Sequence, residues 1–288
     1  MYTSKSMTRN MKRQLGCGNS LSSVFQQMFG VDKPIIGMVH LLGMPGVPRY
    51  ESKTGIDGNI EWAMNDARTL EEGGVDAVMF CNEFDIPYAK KVGPEIVAAM
   101  THVVSRVTDK ISIPHGISVL FDFFATIAIA KATHAGFTRV ILTGAYAGDY
   151  GIMDTFGAEL LRFRKSIDAE NVKLFTNISG EFAAPIAPRP IEIVAKGAVF
   201  VGLGDALIVQ GPMTGAETDV EDVRRVKNAV QDVPVLAGTG VTVDNVAKML
   251  KYADGVIIGT SLKVAGHTWN RVDERRVKEF MAAVKKAR

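Results

Sequence analysis

Two glycine turns near the C-terminal end of the chain have the composition of a phosphate-binding pocket. Residues 237–242 (Ala-Gly-Thr-Gly-Val-Thr) and 259–261 (Gly-Thr-Ser) each follow a short run of β-branched residues. Glycine lets a backbone approach an anion closely, and backbone N–H groups at such turns bind phosphate. One glycine alone could serve turn geometry, but two adjacent turns favour a phosphate site. The predicted phosphate-binding residues are Gly211, Gly238, Thr239, Gly240, Gly259, Thr260 and Ser261.

Carboxylate, imidazole and amide side chains follow the other predicted strands. Proton transfer beside a carbonyl, or on a sugar, needs two carboxylates, or a carboxylate and a histidine, with different pKa values. Glu83 and Asp149 are the predicted pair. His40 and Asp122 are alternates, and these two with Asn177 are expected to position hydroxyls or a carbonyl. Structural alternatives remain open, namely a helix cap or solvated loop for Glu83, a turn for Asp149 and a core position for His40.

Other chemistries have weaker support in the sequence. The histidines and cysteines have no partners at metal-ligand spacing, so a zinc or iron site is not indicated. Mg²⁺ held by a carboxylate and a substrate phosphate remains open, although the sequence requires no cofactor. A Schiff-base mechanism needs a desolvated lysine in the site, but Lys173 begins a predicted strand and Lys263 lies just past the second glycine turn.

The elements that would position these side chains alternate regularly along the chain. Short buried strands are predicted at residues 35–40, 77–81, 113–120, 139–143, 172–178, 206–209, 233–236 and 255–258, with helices between them and a long polar loop at 144–154. Eight such units predict a (β/α)8 TIM barrel, with an open doubly wound sheet as the runner-up. In a barrel the carboxyl ends of the strands carry the chemistry, and the loops after strands 7 and 8 commonly bind phosphate.

The N-terminal region has a different composition. Residues 1–31 contain no acidic residue but four basic ones, which resembles a transit peptide. A disordered or extra extension over residues 1–20 is the favoured interpretation, followed by a single barrel domain over 21–288. Within the latter, helical spacing predicts a short helix that closes the N-terminal end of the barrel, formed by Leu21, Val24, Phe25, Met28 and Phe29.

The composition excludes several classes of protein. A hydrophobic fraction of 47% with 22% charged residues is typical of a globular domain with a large core. The net charge of +2 comes from 33 basic and 31 acidic residues that are well mixed, which argues against a nucleic-acid partner. No apolar run has the length of a membrane span. Cys17 and Cys81 are too few for a disulfide framework and suggest reduced thiols in the cytoplasm.

Several stretches resemble one known family. Residues 36–41 (Ile-Gly-Met-Val-His-Leu) with Pro45-Gly46, residues 205–209 (Asp-Ala-Leu-Ile-Val) and residues 254–263 resemble the BtpA/SgcQ family, and the resemblance runs from about Phe25 to the C-terminus. Residues 78–84 and 143–147 look like the SgcQ branch. The resemblance implies a ribulose-phosphate-binding type of barrel. SgcQ-like proteins are associated with sugar uptake and metabolism, which implies a phosphorylated sugar as ligand.

Two functions follow as expectations. The first is a sugar-phosphate enzyme of carbohydrate metabolism, an isomerase, epimerase or aldolase-type lyase that uses carboxylate acid–base chemistry. The second is a non-catalytic assembly or regulatory factor that retains the phosphate site, as the namesake role of the family implies; a homo-oligomer is compatible with both. The BtpA branch tends to carry Leu-Arg-Asn-Asp after the third strand, where this chain has Leu-Phe-Asp-Phe at 120–123. The chemistry of the site is therefore expected to differ from that branch.

Overall fold

The computed structural model describes residues 21–288, with side chains from residue 24 onward. The predicted extension over residues 1–20, including Cys17, lies outside this range. In chain order the strands are β1 (Ile35–His40), β2 (Ala77–Cys81), β3 (His115–Ser118), β4 (Phe137–Val140), β5 (Ala145–Gly148), β6 (Gly151–Asp154), β7 (Lys173–Asn177), β8 (Ala183–Pro185), β9 (Ala206–Val209), β10 (Val235–Ala237) and β11 (Gly255–Ile258). Eight of them form a closed barrel in the order β1-β2-β3-β4-β7-β9-β10-β11, and every neighbouring pair is parallel. The predicted barrel is confirmed, and the open sheet is wrong.

One short helix precedes the first strand, and the other helices follow the barrel strands and cover their outer faces. They are α1 (Leu21–Phe29), α2 (Gly55–Glu72), α3 (Pro94–Thr108), α4 (Phe123–Ala132), α5 (Gly157–Ser166), α6 (Ile191–Phe200), α7 (Val220–Ala229), α8 (Val246–Leu250) and α9 (Glu274–Ala287). Two short 3₁₀ turns, Thr260–Leu262 and Val264–Gly266, follow β11. No helix between residues 21 and 288 is long and apolar enough to cross a membrane.

Alternation along each strand decides which side chains enter the barrel. Successive side chains of a strand point to opposite faces. In β1, Ile36 and Met38 pack inside the barrel, while Ile35 and Val39 pack between the strand and the helices. The same alternation carries His40 inward at the carboxyl end of the strand. The polar residues at strand ends therefore converge on one mouth.

The helix α1 closes the opposite end of the barrel. Phe25 and Phe29 are buried there and lie edge-to-face with Phe137 and Phe175 of the barrel interior, with ring centroids 5.4 to 6.5 Å apart. Aromatic pairs at these distances and angles are favourable beyond the area they bury. The predicted closing helix is confirmed.

The predicted polar loop at 144–154 is wrong. This segment forms the hairpin β5–β6, and β8 joins β5 to complete a three-stranded antiparallel sheet. Tyr146 and Met153 face each other across the hairpin and are buried with Phe121 and Ile141 beside the mouth. The contacts with β8 and Phe121 join residues far apart in the chain, and the local polarity of residues 144–154 does not indicate them.

Candidate active site

A cavity of about 300 Å³ opens at the mouth of the barrel. Residues of both glycine turns and several charged side chains line it. The charged or imidazole residues of its lining are His40, Glu83, Arg139, Glu181 and Arg276. This position, at the carboxyl ends of the strands, is the one at which barrels of this class carry their chemistry.

Glu83 combines burial with an unusual pKa. It lies two residues past Cys81, whose side chain faces the barrel interior, and only 6% of it is exposed. Burial and the neighbouring Glu181 raise its pKa from 4.5 to about 7, against a smaller opposing effect of Arg139. The Cys81 thiol, whose own pKa burial raises, lies 3.6 Å from Glu83 Oε2 and donates to it. Near neutral pH the Glu83 carboxyl can therefore both give and take a proton.

Arg139 and Glu181 form the second part of the charged cluster. The Arg139 guanidinium donates to Glu181 Oε1 at 2.6 Å and to Asn177 Oδ1 at 3.1 Å, and it also contacts Gln210 Oε1. Thr214 Oγ1 donates to the other carboxylate oxygen of Glu181 at 3.2 Å. The charge of Glu181 is one of the causes that raise the pKa of Glu83, second to burial, and it favours the protonated form of Glu83.

Arg139 is not among the predicted site residues, because the predicted fourth strand begins two residues later than the observed one. The strand runs from Phe137 to Val140, so Arg139 lies near its carboxyl end rather than at its start. Phe137 packs inside the barrel, and the alternation rule places Arg139 on the same face. The correct strand boundary would have identified it from sequence.

His40 is neutral in this site. It is buried, and its pKa is held well below 6.5 by burial and then by the positive charge of Lys263. Its Nδ1 lies 3.3 Å from the carbonyl oxygen of Thr268, so the proton belongs on Nδ1. The bare Nε2 is left beside Gly259, where a Cβ would lie 3.3 Å away. His40 thus offers a hydrogen-bond acceptor to the cavity.

The glycine turns line the cavity through Thr239, Gly240, Gly259, Thr260 and Ser261. Within residues 21–288, the backbone N–H groups of these five residues donate to no other group. The side-chain hydroxyls, by contrast, hold the turns together. For example, Ser261 Oγ donates to the carbonyl of Val241 at 2.6 Å, and Thr239 Oγ1 accepts from Gly211 N at 2.7 Å. Backbone N–H groups are therefore the donors that the turns offer to an anion.

Two of the predicted phosphate-binding glycines do not line the cavity. A Cβ on Gly211 would lie 2.4 Å from the carbonyl oxygen of Ala216, so a close approach of two backbone segments requires glycine there. Gly238 packs toward the barrel interior, and a Cβ there would lie 3.0 Å from Ile208. Both glycines shape the turn rather than contact the space that a ligand would fill.

The other predicted site residues, Asp149, Asp122 and Asn177, lie at three different positions in the fold. Asp149 is exposed in the turn between β5 and β6, outside the cavity lining, because the hairpin carries it away from the barrel. Asp122 is the N-cap of α4 and accepts from the backbone N–H groups of Ala125 and Val92 at 2.9 and 3.0 Å. Asn177 is buried beneath the cavity and orients Arg139. Asp149 therefore does not share the cavity lining with Glu83, whereas Glu181 does.

Lys263 is fully buried, which its position just past a turn did not suggest. Its Nζ lies 2.8 Å from Asp66 Oδ2, and neither side chain is exposed. Asp66 Oδ1 also accepts from Val272 N at 3.0 Å, so this aspartate fixes both ends of the segment between β11 and α9. Burial lowers the pKa of Lys263. Because its amine is bonded and inaccessible, it serves the structure of the turn.

Metal ligands do not cluster in the part of the chain that is described. Among residues 21–288 there is no group of three or more histidine, cysteine, aspartate or glutamate side chains arranged to hold a metal ion.

Comparison with known proteins assigns the family. A model of the BtpA family matches residues 31–286, nearly the whole chain. The chain belongs to the BtpA family. It is 42% identical to the sgc region protein SgcQ of Escherichia coli over 262 residues, which cover 91% of this chain and 98% of SgcQ. It is 34% identical to the photosystem I biogenesis protein BtpA of Synechocystis, over 90% of each chain.

Solved structures with the same fold have low sequence identity to this BtpA-family chain. One is (S)-3-O-geranylgeranylglyceryl phosphate synthase of Thermoplasma acidophilum in complex with sn-glycerol-1-phosphate, at a TM-score of 0.59, 16% identity, and coverage of 93% of this chain and all of that one. Another is N-(5'-phosphoribosyl)anthranilate isomerase of Pyrococcus furiosus, at a TM-score of 0.53, 12% identity, and coverage of 88% and 99%. At this identity the likeness establishes the barrel fold.

Proposed function

We propose that this BtpA-family protein is an enzyme that binds a phosphorylated sugar and moves a proton on it, as an isomerase, an epimerase or an aldolase-type lyase. One observation carries the proposal. The lining of a single cavity contains both a buried carboxyl group with a pKa of about 7 and two glycine turns with free N–H groups. The first feature suits general acid–base catalysis, and the second suits phosphate.

The roles follow from the environment of each group. Glu83 exchanges a proton with the substrate, and burial together with the neighbouring Glu181 raises its pKa to about 7. The guanidinium of Arg139 holds Glu181 in place and faces the same cavity, where it can stabilise negative charge on a substrate oxygen. His40 accepts a hydrogen bond from a hydroxyl through its bare Nε2. Glu181, rather than the exposed Asp149, is the second carboxylate in this proposal.

The surroundings support a reaction shielded from water. Tyr88, Phe121 and Tyr150 form an aromatic cluster beside the mouth, with ring centroids 4.8 to 5.6 Å apart. The Tyr88 hydroxyl donates to the carbonyl oxygen of Glu83 at 2.9 Å.

The structural neighbours named for phosphorylated compounds favour the same class of ligand. A cytoplasmic location belongs to this proposal, since phosphorylated sugars are cytoplasmic metabolites.

Glu83→Gln tests the assigned chemistry. A panel of phosphorylated sugars is first screened against the wild type by thermal shift, and turnover of the ligands that bind is followed by NMR. We expect Glu83→Gln to lose at least about 100-fold in kcat, because general acid–base groups contribute that much, while the dissociation constant changes less than about threefold. Asp149→Asn is the matched control and should keep its activity. Stabilisation by none of the phosphorylated sugars would contradict the proposal, as would full activity of Glu83→Gln.

A second candidate, an assembly or regulatory role, has one observation in its favour. The C-terminal end of α6 and the residues after it expose Phe200, Val201 and Leu203 by 82%, 70% and 61%, and Ile193 of the same helix is 49% exposed. Apolar patches of this kind mark contacts with other proteins or with further copies of the chain. The photosystem I biogenesis protein BtpA is a relative with an assembly role in its name. Under this alternative Glu83→Gln keeps its biological effect, whereas Phe200→Asp loses it.

A further inference from the structure

Arg276 lines the cavity beside the second glycine turn, although it comes from a distant element. It lies in the first turn of α9, and its Nη1 donates to the carbonyl oxygen of Ser261 at 3.1 Å. Gly266 lies beside the guanidinium, since a Cβ there would be at van der Waals distance, 3.7 Å, from Nη1. The positive charge is therefore held next to the N–H groups of Thr260 and Ser261.

The charge of Arg276 is unmatched within residues 21–288. No carboxylate of that range lies within 4.0 Å of its guanidinium. Arg275, its neighbour on the same helix, pairs with Glu279 at 2.8 Å, and Arg139 across the cavity pairs with Glu181. Arg276 is thus a cation of the cavity lining that no described carboxylate pairs with, and its charge is available to balance that of an anionic ligand.

One atom of Arg276 is also short of a hydrogen bond. Its Nε is buried, and among the described residues it is the only buried side-chain nitrogen or oxygen without a partner. Buried donors in folded proteins are nearly always paired, and an exception commonly marks a position that a ligand, ion or water completes. The geometry and the charge of this position both suit an anion with several oxygen acceptors, since a guanidinium binds phosphate through more than one N–H group.

We infer that Arg276 is the guanidinium that binds the phosphate of the ligand, and that it makes the site select phosphorylated over unphosphorylated sugars. The inference rests on the proposed function for the place of the ligand, and it adds the residue that matches the ligand's charge. The backbone N–H groups of the glycine turns orient the phosphate by directional hydrogen bonds. Arg276 supplies the positive charge that these neutral groups lack.

The test uses inorganic phosphate as the probe and the full chain as the protein. Binding is measured by isothermal titration calorimetry for the wild type, Arg276→Met, Arg276→Lys and Arg275→Met. We expect at least about tenfold weaker binding by Arg276→Met, a smaller loss for Arg276→Lys, and no change for Arg275→Met. Arg275→Met is the matched control, because it removes the same charge one residue away on an exposed face.

Thermal unfolding separates a binding role from a structural one. Without phosphate, Arg276→Met should unfold within about 2 °C of the wild type, because removal of an unpaired buried donor offsets the lost bond to Ser261. Phosphate should raise the Tm of the wild type and of Arg275→Met, but not that of Arg276→Met. If Arg276→Met does not fold, Arg276→Lys decides in its place: weaker binding supports the inference, and binding equal to the wild type overturns it.

The outcomes also separate this inference from the proposed function. Equal phosphate affinity of Arg276→Met and the wild type would overturn the inference alone. Absence of phosphate binding by the wild type would overturn both. Loss of phosphate binding in Arg276→Met, with no turnover of any phosphorylated sugar by the wild type, would support the inference and contradict the enzymatic function.

Discussion

At the scale of single residues, the environment of Glu83 determines what the site can do. A solvent-exposed glutamate would be ionised at neutral pH and would be a weak base. Burial, together with the charge of Glu181, raises the pKa of Glu83 to about 7, and Arg139 limits that rise. The same carboxyl group can then act as acid and as base in one reaction cycle.

The raised pKa of Glu83 predicts a pH-dependent stability. The folded protein binds the proton more tightly than the unfolded chain, so this contribution is fully present below pH 4.5 and is lost as the pH rises through about 7. The difference, 7 − 4.5 = 2.5 in pKa, corresponds to an upper limit of about 3 kcal/mol. Glu83→Gln lacks this dependence, and its stability relative to the wild type should increase between pH 5 and pH 8.

Urea denaturation at the two pH values measures this effect. The control is Glu279→Gln, which removes an exposed carboxylate and should give the same difference from the wild type at both pH values. A stability difference between Glu83→Gln and the wild type that stays constant from pH 5 to pH 8 would show that the pKa of Glu83 is not raised.

Two of the candidate residues that strand ends predict, His40 and Glu83, line the cavity. Asp149 was selected by the same reasoning but lies in a hairpin that the local sequence did not reveal. Arg139 was passed over because of a two-residue error in a strand boundary. Both errors come from the predicted elements: an unrecognised hairpin for Asp149 and a misplaced strand boundary for Arg139.

At the scale of elements, the two glycine turns depend on contacts with other segments. Asn245 accepts from Thr242 N at 2.8 Å and donates to the carbonyl oxygen of Gly240 at 3.1 Å, which fixes the first turn. Gly240 has a φ of +58° and lies against the loop after β9, where a Cβ would be 2.3 Å from the carbonyl oxygen of Ala216. Only glycine fits both conditions.

Gly240→Ala should therefore distort the first turn. The strain at positive φ costs about 1 kcal/mol, and the clash with Ala216 adds to it, so we expect lower stability and at least about tenfold weaker phosphate binding. Calorimetric titration with inorganic phosphate and urea denaturation measure the two effects. Gly197→Ala is the control: it lies within α6 with nothing within 4 Å of the added Cβ, and should gain about 0.5–1 kcal/mol. Wild-type phosphate affinity in Gly240→Ala would contradict the assigned role of the turn.

At the scale of the whole molecule, α1 closes one end of the barrel, and the candidate active site lies at the other end. The interior below the mouth is filled by apolar side chains from the strands and by Phe25 and Phe29 of α1. This packing holds the strands in register, and the register brings the ends of β1, β2, β4, β7 and β11 together around one cavity. The helix that closes the bottom is therefore part of the scaffold that positions the site.

Phe25→Ala tests the contribution of this helix. Phe25 is 1% exposed and lies 5.9 Å from the ring of Phe175, so we expect a loss of about 3–5 kcal/mol in the free energy of unfolding. Phe200→Ala, at a position 82% exposed, is the control and should change stability by less than about 0.5 kcal/mol. Both values come from urea denaturation followed by circular dichroism. A loss below about 1 kcal/mol for Phe25→Ala would mean that α1 does not close the barrel in solution.

The sequence by itself determined the eight strand–helix units, the closing helix and the two glycine turns, because each depends on local periodicity or on the conformational freedom of glycine. The tertiary structure decided that the sheet closes into a barrel and which side chains share the cavity. Glu83, Glu181 and Arg276 are far apart in the chain, and their approach depends on barrel closure and on the placement of α9. The pKa of Glu83 is a property of that assembled environment, since burial and neighbouring charges exist only in the folded protein.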